Sequence, residues 1–307
     1  MTSDVKRFWI VCLLEILLMA SPACPLEPGP ASALMRRCEA LLCAEKERLG
    51  LFDPVLDPGR SGLIGVEFSP LTTSVGELAD KQAAARPEMA DAVAEYLRRA
   101  GVTSGDWAAV NASASFPGFF LAVLCAAETM GVHVQAVFSY GSSMYGGTQP
   151  EFTFPMMLDL LNAAGLLHAR LRAVAPGGAQ DRMAQPLLDD PQPTLRTLMD
   201  SRTEEKIEAK NRSEAIRRRL EVFGQTPWPV RCFVSCGGPG TSLGTSERVL
   251  ELGFGLLGRP ASLPQGDERG LIFEYLDRGI PVIHLLYARG ICGEFGIPYG
   301  AAHCEGN

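Results

Sequence analysis

The sequence predicts an α/β protein built on a mostly parallel, doubly wound sheet with helices on both faces. Three observations predict it. Short, continuously apolar runs such as "WAAVNA", "VHVQAVFS", "VRCFVS" and "IPVIHLL" alternate with longer helical patterns. That alternation marks strands buried on both sides. Several runs end in loops of small residues. The totals, 307 residues with 47% hydrophobic and 21% charged, suit one globular α/β domain over residues 31–307.

The elements follow in order. Lys6 and Arg7 precede the apolar run "FWIVCLLEILLMA", and the small-residue pair Ser21 and Ala23 follows it. Residues 1–30 therefore read as a signal sequence or short membrane anchor joined to a Pro-rich linker. Glu15 is the anomaly in that run, since a carboxylate at bilayer depth costs about 2.5 kcal/mol or more. A polar helix is expected over 32–49. In "ARPEMA" a proline and an acid open the next helix, with Met89, Val93, Tyr96 and Leu97 on its apolar face and Gly101 closing it.

"WAAVNA" is then a strand, "SASFPG" a loop and "FFLAVLCAAETMG" a helix apolar nearly all round. "VHVQAVFS", "YGSSMYGGTQPE" and "TFPMMLDLLNAAG" repeat the order. "LLHARLRAVA" alternates strictly and predicts an edge or half-exposed strand, with His168, Arg170 and Arg172 outward. A charged helical stretch spans 194–223, where Arg217, Arg218 and Arg219 read as a solvated face. "VRCFVS", its loop, the helix "ERGLIFEYLDRG" and the strand "IPVIHLL" complete the series.

A net charge of -7 argues against a nucleic-acid surface. Nine scattered cysteines with no Cys-x-x-Cys pair read as buried thiols and give no support to a metal site.

Ligands of open parallel sheets bind beyond the strands' carboxyl ends. Four small-residue loops fall there, at 111–118, 140–147, 175–181 and 236–244. They nominate Ser113, Ser115, Ser142, Ser143, Gly237, Gly238, Gly240, Thr241 and Ser242 as ligand-binding residues. Glycine allows close backbone approach, and a helix N-terminus after such a loop favours an anion. None of the four loops matches a P-loop, since no Gly-Lys-Ser/Thr occurs, and none gives Gly-x-Gly-x-x-Gly before a helix with an acid at the right distance. For catalysis the candidates are Ser113 or Ser115 as nucleophile with His284 as base, although the Gly-x-Ser-x-Gly frame is missing.

The blocks "GLIGVEFSPLTTSVGELADKQAAARPEMA", "GDWAAVNASASFPGFFLAVLCAAETMG", "SYGSSMYGGTQPEFTFPMMLDLL", "SCGGPGTSLG" and "GIPVIHLLYARGICGEFGIPYG" occur in this order over residues 60–300. In them the chain resembles the poly-gamma-glutamate system protein family of bacteria. The resemblance implies a membrane segment, an extracytoplasmic location for the bulk of the chain, and a role in making, exporting or anchoring the polymer. The implied partners are poly-gamma-glutamate, or its synthesis and export machinery, and the membrane. The leading expectation is an accessory binding component. The runners-up are a serine-dependent hydrolase or transferase acting on the polymer, and a binding protein for a phosphorylated small molecule.

Overall fold

The computed structural model describes residues 28–300, apart from 184–186, 188–189, 261 and 265. The N-terminal apolar run, at residues 8–20, lies outside the described residues, and no described helix is long and apolar enough to cross a membrane.

The chain starts with α1 (Pro30–Arg48). A short strand, β1 (Thr72–Ser74), leads to α2 (Leu78–Ala84) and α3 (Glu88–Arg99). Next come β2 (Trp107–Ser113), α4 (Pro117–Met130) and β3 (His133–Ser139). Gly131 ends α4 in the left-handed region, at φ 67°, where its N–H caps the last turn. The two-residue β4 (Ser142–Ser143) pairs in parallel with β1 as a separate small sheet. Then follow α5 (Phe154–Ala163), β5 (Leu171–Ala175), α6 (Gln192–Asp200), β6 (Glu205–Lys206) and α7 (Arg212–Phe223). The C-terminal third holds β7 (Val230–Cys236), α8 (Gly240–Leu243), β8 (Gly255–Leu256), α9 (Leu271–Asp277), β9 (Val282–Leu285) and α10 (Ala288–Phe295).

The main sheet has the order β6-β5-β3-β2-β7-β9-β8, parallel except for β8 against β9. Its central strand alternates between two cores. Ala108, Val110 and Ala112 pack with the core that holds α1, α3, α4 and α5, whereas Ala109 joins Val137, Phe233 and Val282 under α7 and α9. Ala108 and Ala112, the two small residues on one side of β2, leave room for α4, which is buried along most of its length. The mixed α/β fold with a mostly parallel sheet is as expected from the sequence.

Three local expectations are corrected. "LLHARLRAVA" keeps His168, Arg170 and Arg172 exposed as expected, but it forms a strand only from Leu171, and that strand is half-exposed rather than an edge, because the two-residue β6 pairs outside it. The stretch 194–223 is two helices, α6 and α7, with β6 between them. Of the three consecutive arginines, Arg217 and Arg218 are at the surface in ion pairs with glutamates, but Arg219 is fully buried. Successive residues on a helix point about 100° apart, so three arginines in a row cannot all share its solvated face.

Candidate functional site

From β2 the chain runs outward through β3, β5 and β6, then crosses back to β7 on the opposite flank of β2. The carboxyl ends of β2 and β7 therefore bound the switch point of the sheet, where open α/β folds form their crevice. A cleft of about 250 Å³ lies there. Ser113 and Ser115 follow from β2, Thr73 and Ser74 come from β1, and Gly141 comes from the end of β3. The loop after β5 contributes Gly177, Gly178 and Ala179, and the loop after β7 contributes Gly238 and Gly240. No acidic side chain lines it among the described residues.

Packing explains some of these glycines and not others. Gly237 has φ +80°, and a Cβ on it would stand 2.6 Å from Ser113 Oγ, so both conformation and space demand glycine. Gly238 and Gly240 have no positive φ, and an added Cβ would meet its nearest atoms at 3.5 and 3.8 Å. Bare main chain at those two positions leaves the backbone open to whatever occupies the cleft.

The polar groups behind the cleft form two assemblies. In the first, Ser115 Oγ accepts the N–H of Ser143 at 3.0 Å, and Lys81 Nζ donates to Ser143 Oγ at 2.8 Å. Lys81 is buried with its Nζ 3.4 Å from the centre of the Phe116 ring. Burial lowers its pKa to about 7, which Asp80 opposes. Ser113 Oγ is buried and has no hydrogen-bond partner among the described residues.

The second assembly centres on Arg219. Its guanidinium makes a bidentate pair with Asp181, at 2.6 and 2.9 Å, and donates to Asn111 Oδ1 and Ser139 Oγ, both at 3.0 Å. The other end of the Asn111 amide donates to Thr241 Oγ1 at 3.1 Å and Ser242 Oγ at 2.8 Å. One arginine thus ties together β2, β3, α7, α8 and the loop after β5.

Of the residues nominated from sequence, the structure brings Ser113, Ser115, Gly238 and Gly240 together in the cleft, with Gly237 packed directly beneath. Thr241 and Ser242 are buried and turned toward Asn111. Ser142 Oγ is buried and donates to the carbonyls of Ala114 and Ser143, at 3.1 and 2.8 Å. The helix that follows "CGGPG" is one turn long, too short to supply a helix dipole.

His284 is not brought to Ser113 or Ser115. It pairs in register with Ser235 of β7, and β7 stands between it and β2. Two strand spacings amount to about 10 Å, beyond direct proton transfer. Its Nδ1 is buried without a partner among the described residues, and burial pushes its pKa down to about 4. Because the folded protein disfavours the imidazolium, His284 supports stability above its ordinary pKa of 6.5, and that support is lost as pH falls from there toward 4. The difference is worth about 3 kcal/mol. His284→Met is expected to remove that share of the pH slope, measured by urea unfolding at pH 7 and pH 4. Equal slopes in variant and parent would show that the buried imidazole is not the acid-sensitive group.

Lys81, Arg219 and Asn111 were missed in the sequence. Lys81 stands in "ADKQAAAR", which carries no motif, and only its burial distinguishes it. A further cation stands at the rim. The Arg212 side chain passes Gly240, its Cδ 3.8 Å from where a Cβ would stand there, and its Nε has no hydrogen-bond partner among the described residues.

No family model matches the chain, and no curated protein matches it. Among solved structures, the o-succinylbenzoate CoA synthetase MenE from Bacillus subtilis is similar at a TM-score of 0.18, with 13% identity. The match covers 65% of this chain and 54% of that one, so the chain spans about half the length of that protein. A likeness this slight carries no argument about fold or function.

Proposed function

We propose that this protein is a membrane-associated accessory component of bacterial poly-gamma-glutamate synthesis, export or anchoring, and that its switch-point cleft holds a carboxylate-bearing segment of that polymer. The observation that carries the ligand class is the make-up of the cleft: main chain, hydroxyls and no acid, with Arg212 at its rim. Such a lining favours an anion. The resemblance to the poly-gamma-glutamate system proteins supplies the polymer. Four of the blocks that carry it contribute to the cleft, through Thr73 and Ser74, Ser113 and Ser115, Gly141, and Gly238 and Gly240.

Placing a carboxylate at exposed lining positions tests this reading. Ser74 and Ala179 are both exposed, so Ser74→Asp and Ala179→Asp should leave stability within about 0.5 kcal/mol. Each is expected to weaken binding of poly-gamma-glutamate at least tenfold in calorimetric titration. Arg212→Gln should cost about 10- to 100-fold, the range for a hydrogen bond to a charged group. Normal binding by all three variants would displace the ligand from this cleft. For the membrane part, a chain lacking residues 1–30 should fractionate as soluble while the full chain pellets with membranes. A full chain found wholly in the soluble fraction with its N-terminus intact would overturn that part.

A further inference from the structure

We propose that Lys81 and Ser143 form a lysine-assisted serine nucleophile that attacks an amide or ester carbonyl of a carboxylate-bearing substrate held in the cleft. The substrate part of this inference rests on the cleft reading above; the nucleophile does not.

A buried lysine normally has a carboxylate partner or a path to water, because an isolated ammonium in the interior is costly. Lys81 is 3% exposed, and its contacts are the Ser143 hydroxyl and the face of Phe116. On its own helix, α2, Asp80 accepts the Tyr299 hydroxyl at 2.7 Å, and Tyr299 also stacks with Arg289 of α10. From the start of α4 comes the Phe116 ring, and from β4 the Ser143 hydroxyl. Among the described residues no carboxylate forms an ion pair with Lys81 Nζ. A desolvated amine of this kind is held ready to accept a proton, the state in which lysine serves as base to a serine.

Ser143 stands directly behind the cleft wall. Its N–H is bonded to the cleft residue Ser115, and its strand partner Ser74 lines the cleft. The chain at Gly76 lies across it, and a Cβ there would be 3.1 Å from Ser143 Oγ. Residues 74–77 are mostly exposed, with Val75 at 78%, so this short cover is the part that lifts when an acyl group approaches Oγ.

The neutral Lys81 amine takes the hydroxyl proton while Ser143 Oγ bonds to the carbonyl carbon, whose π pair moves onto oxygen. On collapse the bond from carbon to the leaving nitrogen or oxygen breaks, and the leaving group takes the proton from the Lys81 ammonium. This leaves an ester on Ser143 and a neutral lysine. Water then attacks the ester and gives a proton to Lys81. The carbon–Oγ bond breaks, and the proton returns to Oγ. The net change is an amide or ester plus water giving an acid plus an amine or alcohol.

The test exposes the full chain to a fluorophosphonate probe between pH 5 and 9 and maps the modified residue. Labelling is expected at Ser143, rising about tenfold per pH unit up to an inflection near pH 7 and flat above it. Lys81→Met and Lys81→Arg should each reduce labelling by about 10²- to 10⁴-fold, the usual contribution of a positioned base. Arginine keeps the positive charge but cannot act as the base, so rescue by arginine would reveal a merely structural cation and overturn the proposal. No label on Ser143, or undiminished labelling in Lys81→Met, would also overturn it. Poly-gamma-glutamate binding by the same samples separates the two readings. Binding without labelling removes the nucleophile and leaves the cleft assignment, while labelling without binding removes the polymer as substrate and leaves the nucleophile.

Discussion

Arg219→Ala is expected to destabilise the protein by about 3–5 kcal/mol, the range for breaking a buried ion pair by removing one partner. Asp181 is 3% exposed and would remain as a carboxylate without its guanidinium. The loss extends to the loop after β5. Gly177, Gly178, Gln180, Asp181 and Met183 all have positive φ there, and three of these are not glycine. A non-glycine residue in that region costs about 1–3 kcal/mol and persists only where its surroundings hold it. The bidentate pair with Arg219 is what holds Asp181. Arg219→Lys should fail nearly as badly, because an ammonium cannot span Asp181, Asn111 and Ser139 together. Urea unfolding gives the magnitude, and amide exchange over residues 177–183 shows where it acts. A loss below about 1 kcal/mol would mean that the pair does not hold the loop.

Lys81→Met is expected to do the reverse and stabilise the fold. The Lys81 pKa is about 7 in the folded protein against an ordinary 10.5. The folded state therefore disfavours the ammonium. Stability is lowest below pH 7, where both states carry the proton, and is recovered as pH rises from 7 to 10.5. The full span corresponds to about 5 kcal/mol at most. The variant loses the contact with Phe116 and the hydrogen bond to Ser143, which offset part of the gain. A net stabilisation of about 1–3 kcal/mol at pH 6 remains, shrinking toward pH 10. Paired urea unfolding at the two pH values checks both size and sign. A variant less stable than its parent by the same amount at both values would show that the buried amine carries no proton-linked cost. A substitution that strengthens the fold while removing the amine is what a group retained for chemistry predicts.

Much of the architecture was legible because burial leaves a periodic trace. Strands covered on both faces read as apolar runs, and "VRCFVS" and "WAAVNA" are such runs next to each other in the sheet. The edge was misread because alternation in "LLHARLRAVA" reports exposure of one face, whereas edge position depends on which strand pairs outside it. A two-residue β6 has too few residues to show any period.

The sequence by itself determined the fold class, five of the seven strands of the sheet (β2, β3, β5, β7 and β9), and the carboxyl-edge loops that carry Ser113, Ser115, Gly238 and Gly240. It could do so because hydrophobic periodicity and glycine-rich breaks are local properties of the chain. Only the tertiary structure decided which hydroxyls face the cleft. Thr241 and Ser242 turn to Asn111, 130 and 131 residues earlier, and His284 is kept from Ser113 by the intervening β7. Tertiary structure also decided that Arg219 is a buried tie and that Lys81 meets Ser143 across 62 residues of chain. Charge is written in the sequence, but desolvation is not, because a residue's access to water is set by segments packed on it from elsewhere in the chain.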